Sequence, residues 1–122
     1  MTQPAGAIPA IDVSETASRL KAGGPEGPIL VDVREDDELR VARVAGAVHL
    51  PMSSFADRYA ELPQNRPLLV MCATGGRSSA ATAFLLRNGW TDVVNVVGGI
   101  TAWQRAGMPV KTGPVEPGEG EL

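Results

Sequence analysis

Leu68-Leu69-Val70-Met71-Cys72-Ala73-Thr74-Gly75-Gly76-Arg77-Ser78 is the stretch on which the reading of this chain turns. It opens with a short apolar run, the pattern of a buried strand, and the run ends on Cys72, the only cysteine in the sequence. Glycines, an arginine and serines follow, and Ala80 to Asn88 then has the pattern of a helix. A strand, a tight loop and a helix N-terminus suit an anion, because loop amides and the first helical N–H groups converge on one centre. If that centre is the sulfur of Cys72, the thiolate is stabilised and its pKa falls below the free value of about 8.5. The competing reading is a small packed thiol at a strand end. A packed thiol, however, needs neither the glycines nor Arg77.

Outward from this loop the chain alternates strands and helices. Upstream, Ile29 to Arg34 reads as a strand whose first three residues are continuously apolar, as in a strand covered on both faces. Asp32 and Arg34 at its end share one side and are expected to form a structural ion pair, since buried charges need partners. Ala10 to Val13 is expected as an edge strand, Ser14 as the cap of a helix to Ala22, and Glu35 to Val41 as a helical turn. Ala47 to Leu50 reads as a short strand, and Ser53 or Ser54 as the cap of a helix from Phe55 to Leu62. Downstream, Val93 to Val97 is β-branched and reads as another buried strand, followed by a helix from Ile100 to Ala106. The alternation predicts an α/β fold with a mostly parallel central sheet flanked by helices. Ligands of such sheets bind beyond the carboxyl ends of the strands, where Cys72 sits.

The 122 residues suffice for one domain, expected over 10–110, and 43% hydrophobic content supports a packed core. Residues 1–9 are expected to be a flexible tail. Residues 111–122, rich in proline, glycine and glutamate without an apolar period, are expected to be disordered and dispensable. A net charge of -3 gives no reason to expect nucleic acid or an anionic membrane as partner. One cysteine excludes an internal disulfide and a resolving thiol. With one histidine beside it, no zinc site of the usual ligand type is expected, and the reading needs no cofactor. No basic-then-apolar leader and no membrane-length apolar run is visible, so a cytoplasmic location is expected.

Four separated motifs agree with one family. They are Val31-Asp32-Val33-Arg34-Glu35, Gly46-Ala47 with His49-Leu50-Pro51, the loop Cys72 to Ser78, and Gly98-Gly99 with Trp103, Gly107 and Pro109. In this order they resemble a single-domain rhodanese. The resemblance implies a sulfurtransferase that carries sulfane sulfur as a persulfide on Cys72. One departure is that Ala42-Arg43-Val44 stand where the family usually has Gly-His-Ile. His49 is expected to have no chemical role.

Persulfide chemistry asks little of the site. A thiolate attacks the outer sulfur of a donor such as thiosulfate, and a thiol or cyanide later takes that sulfur away. Ala73, Thr74, Gly75, Gly76, Arg77 and Ser78 are the expected donor-binding residues. The glycines allow amides to converge, Arg77 meets the donor anion or braces the loop, and Ser78 caps the helix with a hydrogen bond available to sulfur. The partners are a small-molecule donor and a thiol or cyanide acceptor, and a protein persulfide in either role is also admitted. Two alternatives remain. One is a phosphatase or arsenate reductase, whose Cys-to-Arg loop holds five residues where Ala73 to Gly76 supply four. The other is a non-catalytic rhodanese-like module that binds a protein.

Overall fold

The strand ending at Cys72 is the middle of the sheet. In a computed structural model of the chain, which describes residues 7–122, β4 (Leu68–Met71) has all four residues buried. On either side of it lie β2 (Ile29–Asp32) and β5 (Val93–Val96); β3 (Val48–His49) and β1 (Ala10–Ile11) form the edges. The order is β1-β5-β4-β2-β3 and every pairing is parallel, with Ile29 opposite Leu68 and Val70 opposite Asn95.

The period-two alternation of strand side chains divides the core into two layers. Leu68, Val70 and Cys72 pack with Ile29, Val31, Phe55 and Leu85 on one face. This brings α3 (Met52–Arg58) and α4 (Gly76–Arg87) over that side. Leu69 and Met71 pack on the other face with Val13, Ile100 and Trp103, from α1 (Val13–Gly23) and α5 (Gly99–Arg105). Each such aliphatic side chain contributes about 1.5–3 kcal/mol when fully buried. Among the described residues, no helix is long and apolar enough to cross a membrane.

Element boundaries differ from expectation where capping chemistry decides them. Asp12, not Ser14, caps α1, its Oδ1 accepting from the N–H of Glu15 at 2.8 Å. Pro51 precedes α3, and the Ser53 hydroxyl donates to Glu35 at 2.6 Å instead of capping. The largest change is in α4, which begins at Gly76 and not at Ala80. Gly75 enters the helix from a left-handed conformation with φ of 118°, which side chains disfavour. Arg77 and Ser78 therefore lie in the first helical turn.

The expectation of disorder over 111–122 is corrected. Arg43 and Lys111 exchange backbone hydrogen bonds of 2.9 and 2.7 Å. The Arg43 guanidinium, in a residue only 4% exposed, donates to Glu119 at 2.6 Å and to the carbonyls of Gly113 and Pro114 at 2.7 and 3.2 Å. The N–H of His49 donates to the Gly120 carbonyl at 2.7 Å. Hydrogen bonds from Arg43 hold the Glu119 carboxyl at about 2, well below its ordinary value. The attachment is made of carbonyls and one ion pair, so it leaves no apolar period to read. It also explains the departure at Arg43, since a buried guanidinium needs these acceptors. Deleting Gly113 to Leu122 is therefore expected to lower the thermal midpoint by more than about 5 °C, contrary to the sequence expectation; an unchanged melt would show the segment to be dispensable. At the other end, the expected 1–9 tail falls largely on residues 1–6, outside the described residues. Pro9 is tied in, its carbonyl accepting from the N–H of Asn95 at 2.8 Å.

Candidate active site

Cys72 follows β4 directly and is 1% exposed, at the floor of a loop whose rim includes the exposed Thr74 and Gly76. Its Sγ accepts from the N–H of Gly75 at 3.0 Å and stands 3.2 Å from the hydroxyl of Ser78. The loop is held from behind by α5. The N–H groups of Ile100 and Thr101 donate to the carbonyls of Cys72 and Ala73 at 2.9 and 3.1 Å. In a planar trans peptide the N–H points opposite to the carbonyl, so the amides of Ala73 and Thr74 are turned away from α5. Gly99 makes this approach possible, because a Cβ there would lie 2.2 Å from the Cys72 carbonyl oxygen.

Burial is the largest single influence on the thiol and pushes its pKa up. Against it act the Ser78 hydroxyl and the backbone N–H groups of Ser78, Gly75 and Thr74, and the balance lies below the ordinary thiol value. Of the loop amides, that of Gly75 stands within hydrogen-bond distance of the sulfur, at 3.0 Å.

Arg77 is placed otherwise than as a donor-binding fork. Its Nη1 and Nη2 donate to the two oxygens of Glu38 at 2.6 and 2.8 Å. Glu38 belongs to α2 (Asp36–Val41), so the pair ties the active-site loop to that helix. The bracing alternative fits this geometry. The Arg77 hydrogen bonds hold the Glu38 carboxyl at about 2 against an ordinary 4.5. A depressed carboxylate contributes stability above its unfolded pKa and loses it as pH falls through the folded one. Glu38→Gln is therefore expected to cost about 0.5–1 kcal/mol at neutral pH for this partly exposed pair, with the difference from the parent vanishing between pH 4.5 and about 2. Denaturant melts across that range check it; a difference that persists at the acid end would assign the effect to something other than the charge.

Asp32 and Arg34 form the expected pair. Arg34 Nη2 donates to Asp32 Oδ2 at 2.8 Å, with side-chain exposures of 4% and 2%. Arg34 also donates to the Ala42 carbonyl at 2.8 Å and Asp32 accepts the Arg34 N–H at 3.0 Å. Through the carbonyls of Glu38 and Ala42, at 3.4 and 2.8 Å, Arg34 ties α2 to the pair. His49 Nε2 lies 2.6 Å from the Arg34 carbonyl, where it serves the same corner of the fold.

The sequence singles out neither Glu38 nor Asn95 for the site, and it gives Gly99 only as part of a motif. Glu38 is one of a run of acidic residues with nothing local to distinguish it. Gly99 lies in a recognised motif, but its contact with Cys72 is long-range. Asn95 had a visible signal, a single polar residue inside Val-Val-Asn-Val-Val. Its Oδ1 stands 2.6 Å from Ser78 Oγ.

Comparison with known proteins gives the family. The family described as the rhodanese-like domain matches residues 12–106. A sulfurtransferase of Allochromatium vinosum is 36% identical over 100 residues, covering 82% of this chain and 92% of its own length. The thiosulfate sulfurtransferase GlpE of Actinobacillus succinogenes is 36% identical over 87 residues, covering 71% and 78%. Among solved structures, a rhodanese-related protein of Thermoplasma volcanium superposes with a TM-score of 0.76 at 32% identity, covering 84% of this chain and 97% of that one. The chain belongs to the rhodanese-like domain family. Its activity, in general terms, is that of a sulfurtransferase.

Proposed function

We propose that the chain transfers sulfane sulfur from thiosulfate to cyanide or a thiol through a persulfide on Cys72. The observation that carries this reading is the convergence of the Gly75 N–H and the Ser78 hydroxyl on the Cys72 sulfur. The thiolate attacks the outer sulfur of thiosulfate; a new S–S bond forms and sulfite departs with the electrons of the old one. The charge now rests on the outer sulfur, nearer the loop rim. Cyanide or a thiolate attacks that sulfur, forms thiocyanate or a new persulfide, and the electrons of the S–S bond return to Cys72. No general base is needed once the thiol is ionised. A protein persulfide fits the same scheme as donor or acceptor, and a reducing, cytoplasmic setting would keep Cys72 ready for it.

The phosphatase alternative loses support from Arg77, because a guanidinium fork committed to Glu38 is not free to grip a phosphate bidentately. Intact mass after thiosulfate treatment tests the proposal. The chain should gain one sulfur atom, and cyanide should remove it as thiocyanate. Turnover of an aryl phosphate without any sulfur gain would overturn the reading.

A further inference from the structure

Asn95 interrupts the otherwise apolar β5 and is 8% exposed. Its Oδ1 stands 2.6 Å from Ser78 Oγ, and its Nδ2 donates to the Gly75 carbonyl at 3.4 Å. A carbonyl only accepts, so Gly75 fixes which way the carboxamide faces. Ser78 Oγ lies in turn 3.2 Å from the Cys72 sulfur and 3.3 Å from the Gly75 carbonyl. A hydroxyl carries a single proton. We propose that Asn95 is a positioning residue whose carboxamide oxygen competes with the Cys72 sulfur for the Ser78 proton, and so sets how readily the thiol ionises.

Two states show why. In the thiol, S–H donates to Ser78 Oγ and the Ser78 proton lies on Asn95 Oδ1, so every group in the chain of contacts is satisfied. In the thiolate, the Ser78 proton turns to sulfur, where the bond is charge-assisted. Asn95 Oδ1 is then left 2.6 Å from an oxygen lone pair. Rotating the carboxamide would let Nδ2 donate to Ser78 Oγ, but only by giving up its bond to the Gly75 carbonyl and turning Oδ1 onto that carbonyl oxygen, so relief at one contact costs the other. Ionisation thus costs a buried hydrogen bond, and Asn95 keeps the thiolate more basic than Ser78 and the loop amides alone would leave it. A more basic thiolate is the stronger nucleophile.

The bearing on sulfur transfer rests on the function proposed above. Once the sulfur of Cys72 is bonded to a second sulfur, its charge has moved outward and the Ser78 proton returns to Asn95. Asn95 therefore opposes only the bare thiolate and accepts both thiol and persulfide.

Other charges around Cys72 do not supply this effect. Arg77 faces it from α4, and its charge is balanced by Glu38 of α2. On β2, Asp32 is paired with Arg34. β5 carries no titratable residue, and on α5 the one such residue is Arg105 at its last position.

Alkylation by iodoacetamide as a function of pH, on the full reduced chain with no sulfur donor, tests the proposal. Asn95→Ala should move the alkylation midpoint to lower pH, raising the thiol's acid dissociation constant about three- to tenfold. Ser78→Ala should move it the other way. In the Ser78→Ala background, Asn95→Ala should have no further effect, since Asn95 acts through that hydroxyl. If Asn95→Ala does not fold, Asn95→Leu keeps the volume and permits the same measurement. A midpoint that stays or rises in the folded Asn95 variant overturns the proposal, as does a downward shift that survives the loss of Ser78. The readout involves no donor, so failure of the parent chain to take sulfur from thiosulfate would sink the proposed function and leave this result standing.

Discussion

Cys72→Ser is expected to reduce sulfur uptake from thiosulfate and thiocyanate formation to background. The hydroxyl that replaces the thiol is not ionised near neutral pH without a base, and none is in contact with it: the groups on Sγ are the Gly75 N–H and the Ser78 hydroxyl. The fold should survive, because oxygen is smaller than sulfur and keeps both hydrogen bonds. The measurement pairs intact mass after thiosulfate with a thermal melt. A variant that melts like the parent yet still gains sulfur would remove Cys72 from the mechanism. One that unfolds would mean that the buried thiol, 1% exposed and packed with Leu68 and Val70, is chiefly a core residue.

Asp32→Ala is expected to have the largest effect on stability, a loss of about 3–5 kcal/mol. The substitution leaves the Arg34 guanidinium buried, with the Ala42 and Glu38 carbonyls as its acceptors but no countercharge. It also removes the acceptor of the Arg34 N–H, which fixes the turn from β2 towards α2. Urea melts measure the loss directly, and the midpoint should fall with an unchanged slope. Should the midpoint hold while turnover disappears, Asp32 would have to be assigned to the reaction itself.

What the sequence made legible was local. The apolar run before Cys72, the glycines after it and the alternation of strands and helices gave the parallel sheet and the loop that follows its central strand. The charged end of β2 gave the Asp32–Arg34 pair, since two charges closing an apolar strand have few alternatives to pairing. What stayed hidden depends on residues far apart in sequence. Arg77 could face a donor or brace the loop, and only the arrival of Glu38, 39 positions earlier, decides it. α4 starts at Gly76 although Gly76, Ser78 and Ser79 favour a helix less than the alanines and leucines that follow; the turn at Gly75 and packing on the sheet override them. Asn95 looked like a blemish in a buried strand until Ser78 was placed opposite it. The C-terminal segment shows no pattern in the sequence, because its partners are backbone N–H and C=O groups and the Arg43 guanidinium.

That segment has a consequence for how copies of the chain behave towards one another. β3 is an outer strand, and an outer strand offers free N–H and C=O groups on which a second chain can build. Here the N–H of His49 is already spoken for by Gly120, and Arg43–Glu119 locks the covering segment in place. The last ten residues thus act as a selvedge that finishes the cloth of the sheet and stops it from being extended. Proteolytic trimming, or reversal of charge at Glu119, would uncover that edge for pairing with another chain.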